Sequence, residues 1–506
     1  MKLHHLMLLL GLGLVGGAVP PEVYAQTPPG EPGALESGGL EPELGAPDAT
    51  ETEILIPEVA VPETAAPEAT TAAPAETGPS AITLYNQGVE QYTRGDYDAA
   101  LESFNLALEK NPSLANAYVY RGLIYANQGD YNQALTDLNQ ALSLDPGNAT
   151  ALLGRGSVYY RQGETALAQA DFNTLLEANP DSVEAYLYRG LIDTEAGRHE
   201  LALEDFSTAI ELDPTNPSAY VLRGFTLEQL DNYSDAVSDF SQAIELEGDR
   251  PRAYMGRGVA YYNLGLYDAA LDDLNQAVQL APDMARGYLN RGYVYYRQGR
   301  TNRALQDIDR ALELDPSLAE AYMARGVIRA EQGDLSGAQQ DFAEVLQLNP
   351  DSAVAYKQRG DVMLQAGDAP AAIADYSEAL LLDPAYTAAL QARGDARLAT
   401  GDVFGAIDDY SQALAIQPND AAVYSARGAA YLQVNKPQEA YQDLTQAIQL
   451  SLTTADPELF YNRGVARASL GDDAGARRDF EEAAELYLQQ GEAAGYRQTL
   501  DQMSQL

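Results

Sequence analysis

The chain has 506 residues, with 75 acidic against 31 basic side chains, a formal net charge of −44 and a pI of about 4.2. A surface this acidic repels phosphate backbones and anionic lipid, which argues against nucleic-acid binding and against direct membrane binding by the mature chain. The sequence contains no cysteine, which excludes disulfides and thiolate metal sites.

The first residues have the pattern of a secretory signal. Lys2 supplies a positive start, residues 6–19 form an apolar run, and small residues precede Gln26. The run is short for a bilayer span, so residues 1–25 are predicted to be a signal peptide; an uncleaved N-terminal anchor is the alternative. The mature protein is then expected in an exported location: the periplasm, a lumen or the extracellular space.

Residues 26–80 are rich in Pro, Ala, Glu, Thr and Gly, and they carry 11 acidic but no basic side chains. Low hydrophobicity and charge of one sign leave too little apolar surface to offset the entropy cost of ordering the chain. The segment is therefore predicted to be a disordered acidic tether, with an acidic docking tail as the second interpretation.

From residue 81 to about residue 490 one unit repeats. Eleven glycines recur every 34 residues from Gly88 to Gly428, and a twelfth, Gly464, follows a two-residue insertion. Each unit is predicted to form two helices around a glycine-containing turn, and most second helices are followed by an Asp-Pro or Asn-Pro stop such as the one at Pro146. The fixed period is typical of an array of helical hairpins.

The unit resembles the tetratricopeptide repeat (TPR), a family whose pattern alternates large aromatic and small residues. In the second unit the matching residues are Tyr118, Gly122, Tyr125, Ala134, Leu138, Ala141 and Pro146. The resemblance implies an all-α fold, a right-handed superhelical solenoid of about twelve hairpins over residues 81–490. Residues 491–506 are predicted to add a C-terminal capping helix, with Tyr496, Leu500, Met503 and Leu506 facing inward.

An arginine precedes the glycine of nearly every unit, on the helical stripe that is expected to be buried, and a charge in that place needs a partner. Each such arginine is followed sixteen residues later by an aspartate on the second helix, whereas the first unit has Gln87 and Ser103 and lacks both charges. We predict structural ion pairs that clamp the two helices of a unit; an anion bound along the arginines is the alternative. The predicted pairs are Arg121 with Asp137, Arg155 with Asp171, Arg189 with Asp205, Arg223 with Asp239, Arg257 with Asp273, Arg291 with Asp307, Arg325 with Asp341, Arg359 with Asp375, Arg393 with Asp409, Arg427 with Asp443 and Arg463 with Asp479.

The resemblance implies that partners bind a concave surface lined by the first helices. The first-helix positions that would face it are apolar and tyrosine-rich in units two to eight and polar in the next two, which have Lys357, Asp361, Gln391 and Asp395. We expect an open apolar groove; packing of these residues onto neighbouring units is the alternative. The predicted groove residues are Val119, Leu123, Leu153, Tyr160, Leu187, Leu191, Val221, Phe225, Met255, Val259, Tyr262, Leu289, Tyr293, Tyr296, Arg297, Met323 and Val327.

The predicted function is a scaffold that binds a protein or peptide partner in this groove and supports assembly or docking of exported or envelope complexes. A carbohydrate-handling scaffold in polysaccharide export, with tyrosines stacking on sugars, is the alternative. An enzyme is not expected, and neither is a cofactor or metal, because no phosphate-binding loop, nucleophile elbow or H-E-x-x-H motif occurs.

Overall fold

The computed structural model describes residues 79–451 and 456–506, and within these ranges it contains helices and no strand. The predicted signal peptide, almost all of the predicted tether, and residues 452–455 beside the insertion lie outside the described residues. The helices are α1 (Ala81–Thr93), α2 (Tyr97–Lys110), α3 (Ala115–Asn127), α4 (Tyr131–Leu144), α5 (Ala149–Arg161), α6 (Thr165–Ala178), α7 (Val183–Glu195), α8 (His199–Leu212), α9 (Pro217–Glu228), α10 (Tyr233–Leu246), α11 (Pro251–Asn263), α12 (Tyr267–Leu280), α13 (Ala285–Arg297), α14 (Thr301–Leu314), α15 (Ala319–Glu331), α16 (Leu335–Leu348), α17 (Ala353–Gln365), α18 (Ala369–Leu382), α19 (Thr387–Ala399), α20 (Val403–Ile416), α21 (Ala421–Gln433), α22 (Pro437–Leu450), α23 (Pro457–Ser469), α24 (Asp473–Gln490) and α25 (Ala493–Met503).

The chain divides into two compact units, with the boundary between Arg300 and Thr301. The described part of the first unit consists of six helical hairpins, α1/α2 to α11/α12, followed by α13. The second unit begins with α14 and continues with five hairpins, α15/α16 to α23/α24, followed by α25. The predicted all-α fold of consecutive hairpins is confirmed in each unit.

Local sequence sets where each helix begins and ends. Helix α4 ends at Leu144, and Asp145 turns out of the helical conformation because the following proline disfavours it. The side chain of Asn148 then accepts a hydrogen bond from the backbone of Ala151 and starts α5. Within the hairpin, Gly129 has φ of 79°, a left-handed conformation that glycine adopts without strain.

The two helices of a hairpin pack closely because small residues lie where they meet. A Cβ added to Gly156 would lie 2.6 Å from the ring of Phe172, so the ring occupies space that only a glycine leaves. Ala168 and Phe172 on the second helix are both fully buried. The repeated glycine therefore sets the distance between the helices and holds the first helix in place.

The final helix has a different buried stripe from the one predicted. Gly491, with φ of 78°, ends α24, and α25 folds back onto it. Gly495 of α25 lies against the ring of Tyr487 of α24. Thr499, one helical turn after Gly495, is therefore buried in the interface between these two helices. The prediction that Leu500 faces inward is wrong, since that side chain is 41% exposed.

Candidate functional site

The arginine and aspartate of one hairpin form a two-pronged ion pair. In α3/α4, Nε and Nη2 of Arg121 each donate to one carboxylate oxygen of Asp137, both at 2.7 Å. The geometry is bidentate, which is the strongest arrangement these two groups can adopt. These hydrogen bonds raise the pKa of the Arg121 guanidinium above its ordinary value, and the Asp137 side chain is buried.

The same contact recurs along both units. The N–O distances lie between 2.7 and 3.2 Å, and every aspartate involved is buried. The structure brings together Arg121 with Asp137, Arg155 with Asp171, Arg189 with Asp205, Arg223 with Asp239, Arg257 with Asp273, Arg325 with Asp341, Arg359 with Asp375, Arg393 with Asp409, Arg427 with Asp443 and Arg463 with Asp479. The eleventh predicted pair, Arg291 with Asp307, has one member in each unit and stays a prediction.

The aspartates of these pairs are not accessible to a ligand. In four hairpins the carboxylate accepts one hydrogen bond from Nε and one from Nη2 of its single arginine, at N–O distances of 2.7 to 3.0 Å. The four aspartates, each between 5% and 7% exposed, are Asp171, Asp273, Asp375 and Asp443. A carboxylate buried this deeply, with both oxygens engaged, holds its hairpin together and lies outside any binding surface.

Most of these arginines also reach the preceding hairpin, a contact that the sequence analysis missed. Nη1 of Arg155 donates to Oδ1 of Asn139 at 2.7 Å, and Nη1 of Arg257 donates to Oγ of Ser241 at 3.0 Å. The signal was present, since Asn, Ser or Asp precedes most of these arginines by sixteen residues. One guanidinium thus joins three helices, two in its own hairpin and one in the hairpin before.

Aromatic rings lie against the same guanidinium groups. The Arg121 carbon Cζ is 5.4 Å from the centroid of the Tyr118 ring, within the range of a cation–π contact. Tyr118 and Tyr125 are half-buried, less than the fully buried stripe that the repeat pattern predicted. With its carboxylate-binding edge on aspartate and a ring beside it, the guanidinium has no open edge for the bound anion considered as the alternative.

The first hairpin replaces the ion pair with a neutral contact. Ser103, at the position of the aspartate, donates from Oγ to Oε1 of Gln91 at 2.7 Å. Gln87, at the position of the arginine, is exposed. A buried polar side chain is therefore satisfied here without any charge.

The expected open apolar groove is closed by packing. Thirteen of the seventeen predicted groove residues are buried: Val119, Leu123, Tyr160, Leu187, Leu191, Val221, Phe225, Met255, Val259, Tyr262, Leu289, Tyr293 and Val327. Leu153, Tyr296 and Met323 are half-buried, and Arg297 alone of the set is exposed. The physical reason is close approach between successive first helices: a Cβ on Gly154 of α5 would lie 2.8 Å from Leu123 of α3. The apolar side chains therefore lie beneath the surface, and other side chains form the surface itself.

On α11 and α13 the surface residues include arginines. Arg252 and Arg286 are half-buried at the second position of α11 and α13, and Arg297 is exposed at the thirteenth position of α13. The Arg252 Cζ lies 5.1 Å from the centroid of the Phe225 ring, so the guanidinium covers a buried aromatic. We call Arg252, Arg286 and Arg297 the arginine face.

Two polar side chains, Glu228 and Asn290, are buried in the first helices of this unit. Both carboxyl oxygens of Glu228 on α9 and both amide atoms of Asn290 on α13 are buried without a hydrogen-bond partner. Burial raises the pKa of Glu228 well above its ordinary value, because the charged carboxylate loses its solvation.

Helices α17 and α19 of the second unit are acidic at a different first-helix position, the ninth, where Asp361 and Asp395 stand. Lys357 Nζ lies 2.9 Å from Asp361 Oδ2, so the two charges form an ion pair within α17. The hydroxyl of Tyr376 donates to Asp361 at 2.8 Å, and that of Tyr410 donates to Asp395 at 2.6 Å. We call Lys357, Asp361 and Asp395 the polar face; its carboxylates are held by lysine and tyrosine groups of its own unit.

Within residues 79–451 and 456–506, no group of three or more histidine, aspartate or glutamate side chains has a geometry that could hold a metal ion. Likewise, none of the helices resolved between residues 79 and 506 is both long and apolar enough to span a bilayer.

Four family models match the sequence. One, described as TPR repeat, matches residues 88–129, 122–163 and 394–435. Three others, described as tetratricopeptide repeat, match residues 153–217 and 223–285, residues 292–360, and residues 206–238. Together the matches cover more than half of the chain, and the chain belongs to the tetratricopeptide repeat family. No curated protein matches its sequence.

Several solved structures are similar. A tetratricopeptide repeat protein from Parabacteroides merdae is 25% identical, and the alignment covers 49% of this chain and 98% of that one at a TM-score of 0.42. A chain of the APC/C hetero-tetramer Cut9-Hcn1 is 16% identical, covering 84% and 96% at a TM-score of 0.45. Yeast Tom70 is 17% identical, covering 84% and 96% at a TM-score of 0.36. These similarities are too low to indicate a partner.

Proposed function

We propose that the protein is a non-catalytic scaffold that binds an acidic, extended segment of a protein partner on the arginine face. The observation that carries this proposal is the position of Arg252, Arg286 and Arg297 on one face of α11 and α13, in a chain whose net charge is −44. Positive charge concentrated on a small part of an acidic molecule attracts carboxylates selectively.

The chemistry of arginine favours a carboxylate ligand. Its planar guanidinium has five N–H donors, so each of the three arginines can bind a ligand carboxylate in addition to the contacts it makes within the chain, such as that of Arg252 with the Phe225 ring. The buried aromatic floor limits the motion of the side chain, so less entropy is lost when a ligand binds. A nucleic acid fits less well, because its long phosphate backbone would meet the surrounding acidic surface.

The location is part of the proposal. The apolar run and small residues before Gln26 support export, and the acidic, proline-rich residues 26–80 support a spacer between the point of export and the hairpin array. We propose that the scaffold supports docking or assembly of exported complexes. N-terminal sequencing of the protein from fractionated cells tests this location: a start at Gln26 in the exported fraction is expected, and a cytoplasmic full-length chain contradicts it.

Binding can be measured by fluorescence anisotropy with a labelled peptide of glutamate, alanine and proline, and with the same peptide carrying glutamine for glutamate. The full chain is expected to bind the glutamate peptide more tightly than the glutamine peptide, with an affinity that falls as salt rises. Replacing Arg252, Arg286 and Arg297 together with glutamine should weaken binding about a hundredfold, on the basis of about 1 kcal/mol for each exposed charge pair.

A matched variant controls for the change in net charge. Arg94, Arg477 and Arg478 are exposed arginines outside the face, and replacing these three with glutamine alters the charge equally. This variant should bind like the wild type. Equal loss in both variants, or no glutamate-specific binding at any salt concentration, contradicts the proposed function.

A further inference from the structure

Arg161, the last residue of α5, lies outside the arginine face and has an unsatisfied donor. Its side chain is half-buried, and among the described residues its Nη2 is buried without a hydrogen-bond partner. A buried N–H group without an acceptor costs free energy, which an acceptor atom of a ligand would recover. Arg161 is therefore a candidate contact for a ligand that carries carboxylates.

The surroundings of Arg161 leave its charge for such a ligand. Burial raises the pKa of Tyr188 to about 12 and the positive charge of Arg161 opposes that shift, which places the guanidinium on the side of α5 that meets α7. The hydroxyl of Tyr160 donates to the carboxylate of Glu195 on α7. The acid of the next first helix is thus held by a tyrosine rather than by an arginine.

Arg161 occupies the same place in its repeat as Arg297 of the arginine face. Both stand five residues after the unit glycine, Gly156 in one case and Gly292 in the other. Successive first helices of this unit are in contact, so the residues at this place form one row across the carboxyl ends of α5, α7, α9, α11 and α13. Each residue of the row is exposed or half-buried: Arg161, Glu195, Gln229, Asn263 and Arg297.

This row sets the length of a ligand that follows it. Helices in contact lie about 8–10 Å apart, so the four steps from α5 to α13 amount to about 30–40 Å. An extended chain rises about 3.3 Å per residue, and about 10–12 residues therefore cover the distance. Gln229 and Asn263, between the two arginines, are uncharged and offer amide groups to a peptide backbone.

We propose that Arg161 is a second anchor for the acidic segment bound by the arginine face, and that the segment runs along this row from α13 to α5. The inference rests on the proposed function, because it extends the same site by four hairpin steps. The partner segment then has about ten or more extended residues, with carboxylates near both of its ends. A shorter acidic peptide contacts the arginine face alone.

The test compares two labelled peptides of glutamate, alanine and proline, of about six and about sixteen residues. Binding of each peptide to the full chain is measured by fluorescence anisotropy. Arg161→Gln should weaken binding of the long peptide about fivefold, the usual factor for one exposed charge pair. The short peptide should bind this variant and the wild type equally, since it cannot reach α5 from the arginine face. Arg478→Gln, an equal change of charge at an exposed position of α24, should alter neither affinity.

A substitution one hairpin away should have the opposite sign. Glu195 is the one acid in the row, and the Tyr160 hydroxyl engages one of its two carboxylate oxygens. Glu195→Gln removes this negative charge, so the long peptide should bind about fivefold more tightly while binding of the short peptide is unchanged. A long peptide that gains no affinity from Glu195→Gln overturns the inference.

The two peptides also separate this inference from the proposed function. If Arg161→Gln weakens neither peptide, or weakens both equally, Arg161 is not an anchor and the inference is overturned. The proposed function stands in that case as long as replacing Arg252, Arg286 and Arg297 still abolishes glutamate-specific binding. If neither peptide binds the wild type, the proposed function fails and the inference with it.

Discussion

The first helices α9, α11 and α13 of one unit and α15, α17 and α19 of the other occupy equivalent places in the repeat but differ in chemistry. In the former group, α11 and α13 carry Arg252, Arg286 and Arg297, and Arg252 lies over the buried Phe225 ring. In the latter group, α17 and α19 carry Asp361 and Asp395, which contact Lys357, Tyr376 and Tyr410. The backbone is the same in both places. We therefore expect binding specificity in this array to come from a few first-helix side chains, while the repeat positions maintain the fold.

The two units differ in their clamps as well. In α15/α16, α19/α20 and α23/α24 a second arginine, three residues after the unit glycine, joins the aspartate: Arg329 to Asp341 at 2.8 Å, Arg397 to Asp409 at 2.7 Å and Arg467 to Asp479 at 3.3 Å. In three of the six hairpins of the first unit a tyrosine stands there instead, at Tyr125, Tyr159 and Tyr261. Two cations on one carboxylate make these three aspartates more important to stability.

The largest expected effect follows from this difference. Asp409→Ala leaves Arg393 and Arg397 without their shared carboxylate, and its destabilisation should reach the upper part of the range of about 3–5 kcal/mol seen on breaking buried ion pairs. Asp239→Ala removes the carboxylate partner of a single arginine, so its destabilisation should be smaller. Urea denaturation and hydrogen exchange in the affected hairpin measure both, and equal losses would show that the second arginine contributes nothing.

The next prediction transfers the binding chemistry from one unit to the other. Glu320→Arg, Val354→Arg and Gln365→Arg place arginines at the positions equivalent to Arg252, Arg286 and Arg297, in the chain where those three are already glutamine. The grafted chain should bind the glutamate peptide about tenfold more tightly than the triple glutamine variant, which leaves it about tenfold weaker than the wild type. Recovery is incomplete because Asp361 lies within the grafted surface and competes for the arginines. No recovery would mean that the aromatic floor, and not only the charge, is required.

A buried acid provides a test that depends on pH. Leucine stands at Leu364 and Leu398 where α9 has Glu228, so Glu228→Leu should stabilise the chain by about 1–3 kcal/mol at neutral pH by removing an unpaired buried polar group. The pKa of Glu228 is raised in the folded protein, so the folded state keeps a proton that the unfolded state loses above its pKa of about 4.3. Wild-type stability thus falls as pH rises from that value towards the raised pKa.

The advantage of Glu228→Leu should therefore grow with pH across this window and shrink in acid. Glu228→Gln is the control: it removes the titration but keeps a polar group, so its stability relative to Glu228→Leu should not vary with pH. Thermal denaturation at several pH values measures all three chains. An advantage that is the same at pH 4 and pH 8 would contradict a neutral buried carboxyl.

The smallest effect concerns the third contact of the clamp. Ala343 precedes Arg359 by sixteen residues, the same spacing at which Asn139 accepts a hydrogen bond from Nη1 of Arg155. The side chain of Ala343 cannot accept the equivalent bond. Ala343→Asn should stabilise the array by about 0.5–1 kcal/mol, the usual net value of one hydrogen bond, and Asn139→Ala should cost about as much. Chemical denaturation of the two variants gives both values; changes of the same sign would rule out this account of the contact.

Much of the fold followed from the sequence alone, because the interactions that specify a hairpin are local. The interval of 34 residues, the glycine turns and the proline stops predicted every helix pair, and the sixteen-residue spacing anticipated the contact of Arg121 with Asp137. An antiparallel hairpin fixes which of its residues face each other, so spacing from the turn carries three-dimensional information.

Only the tertiary structure decided what reaches the surface. Leu123 and Tyr262 were predicted to line an open groove, but close packing of successive first helices buries them, and the nearest distance between those helices is set by residues a full repeat apart, such as Gly154. The partnerless burial of Glu228 and the position of Arg252 over Phe225 likewise depend on how one hairpin stacks on the next. A repeat pattern describes the contacts within a unit, whereas exposure depends on the distance between units, which the pattern does not contain.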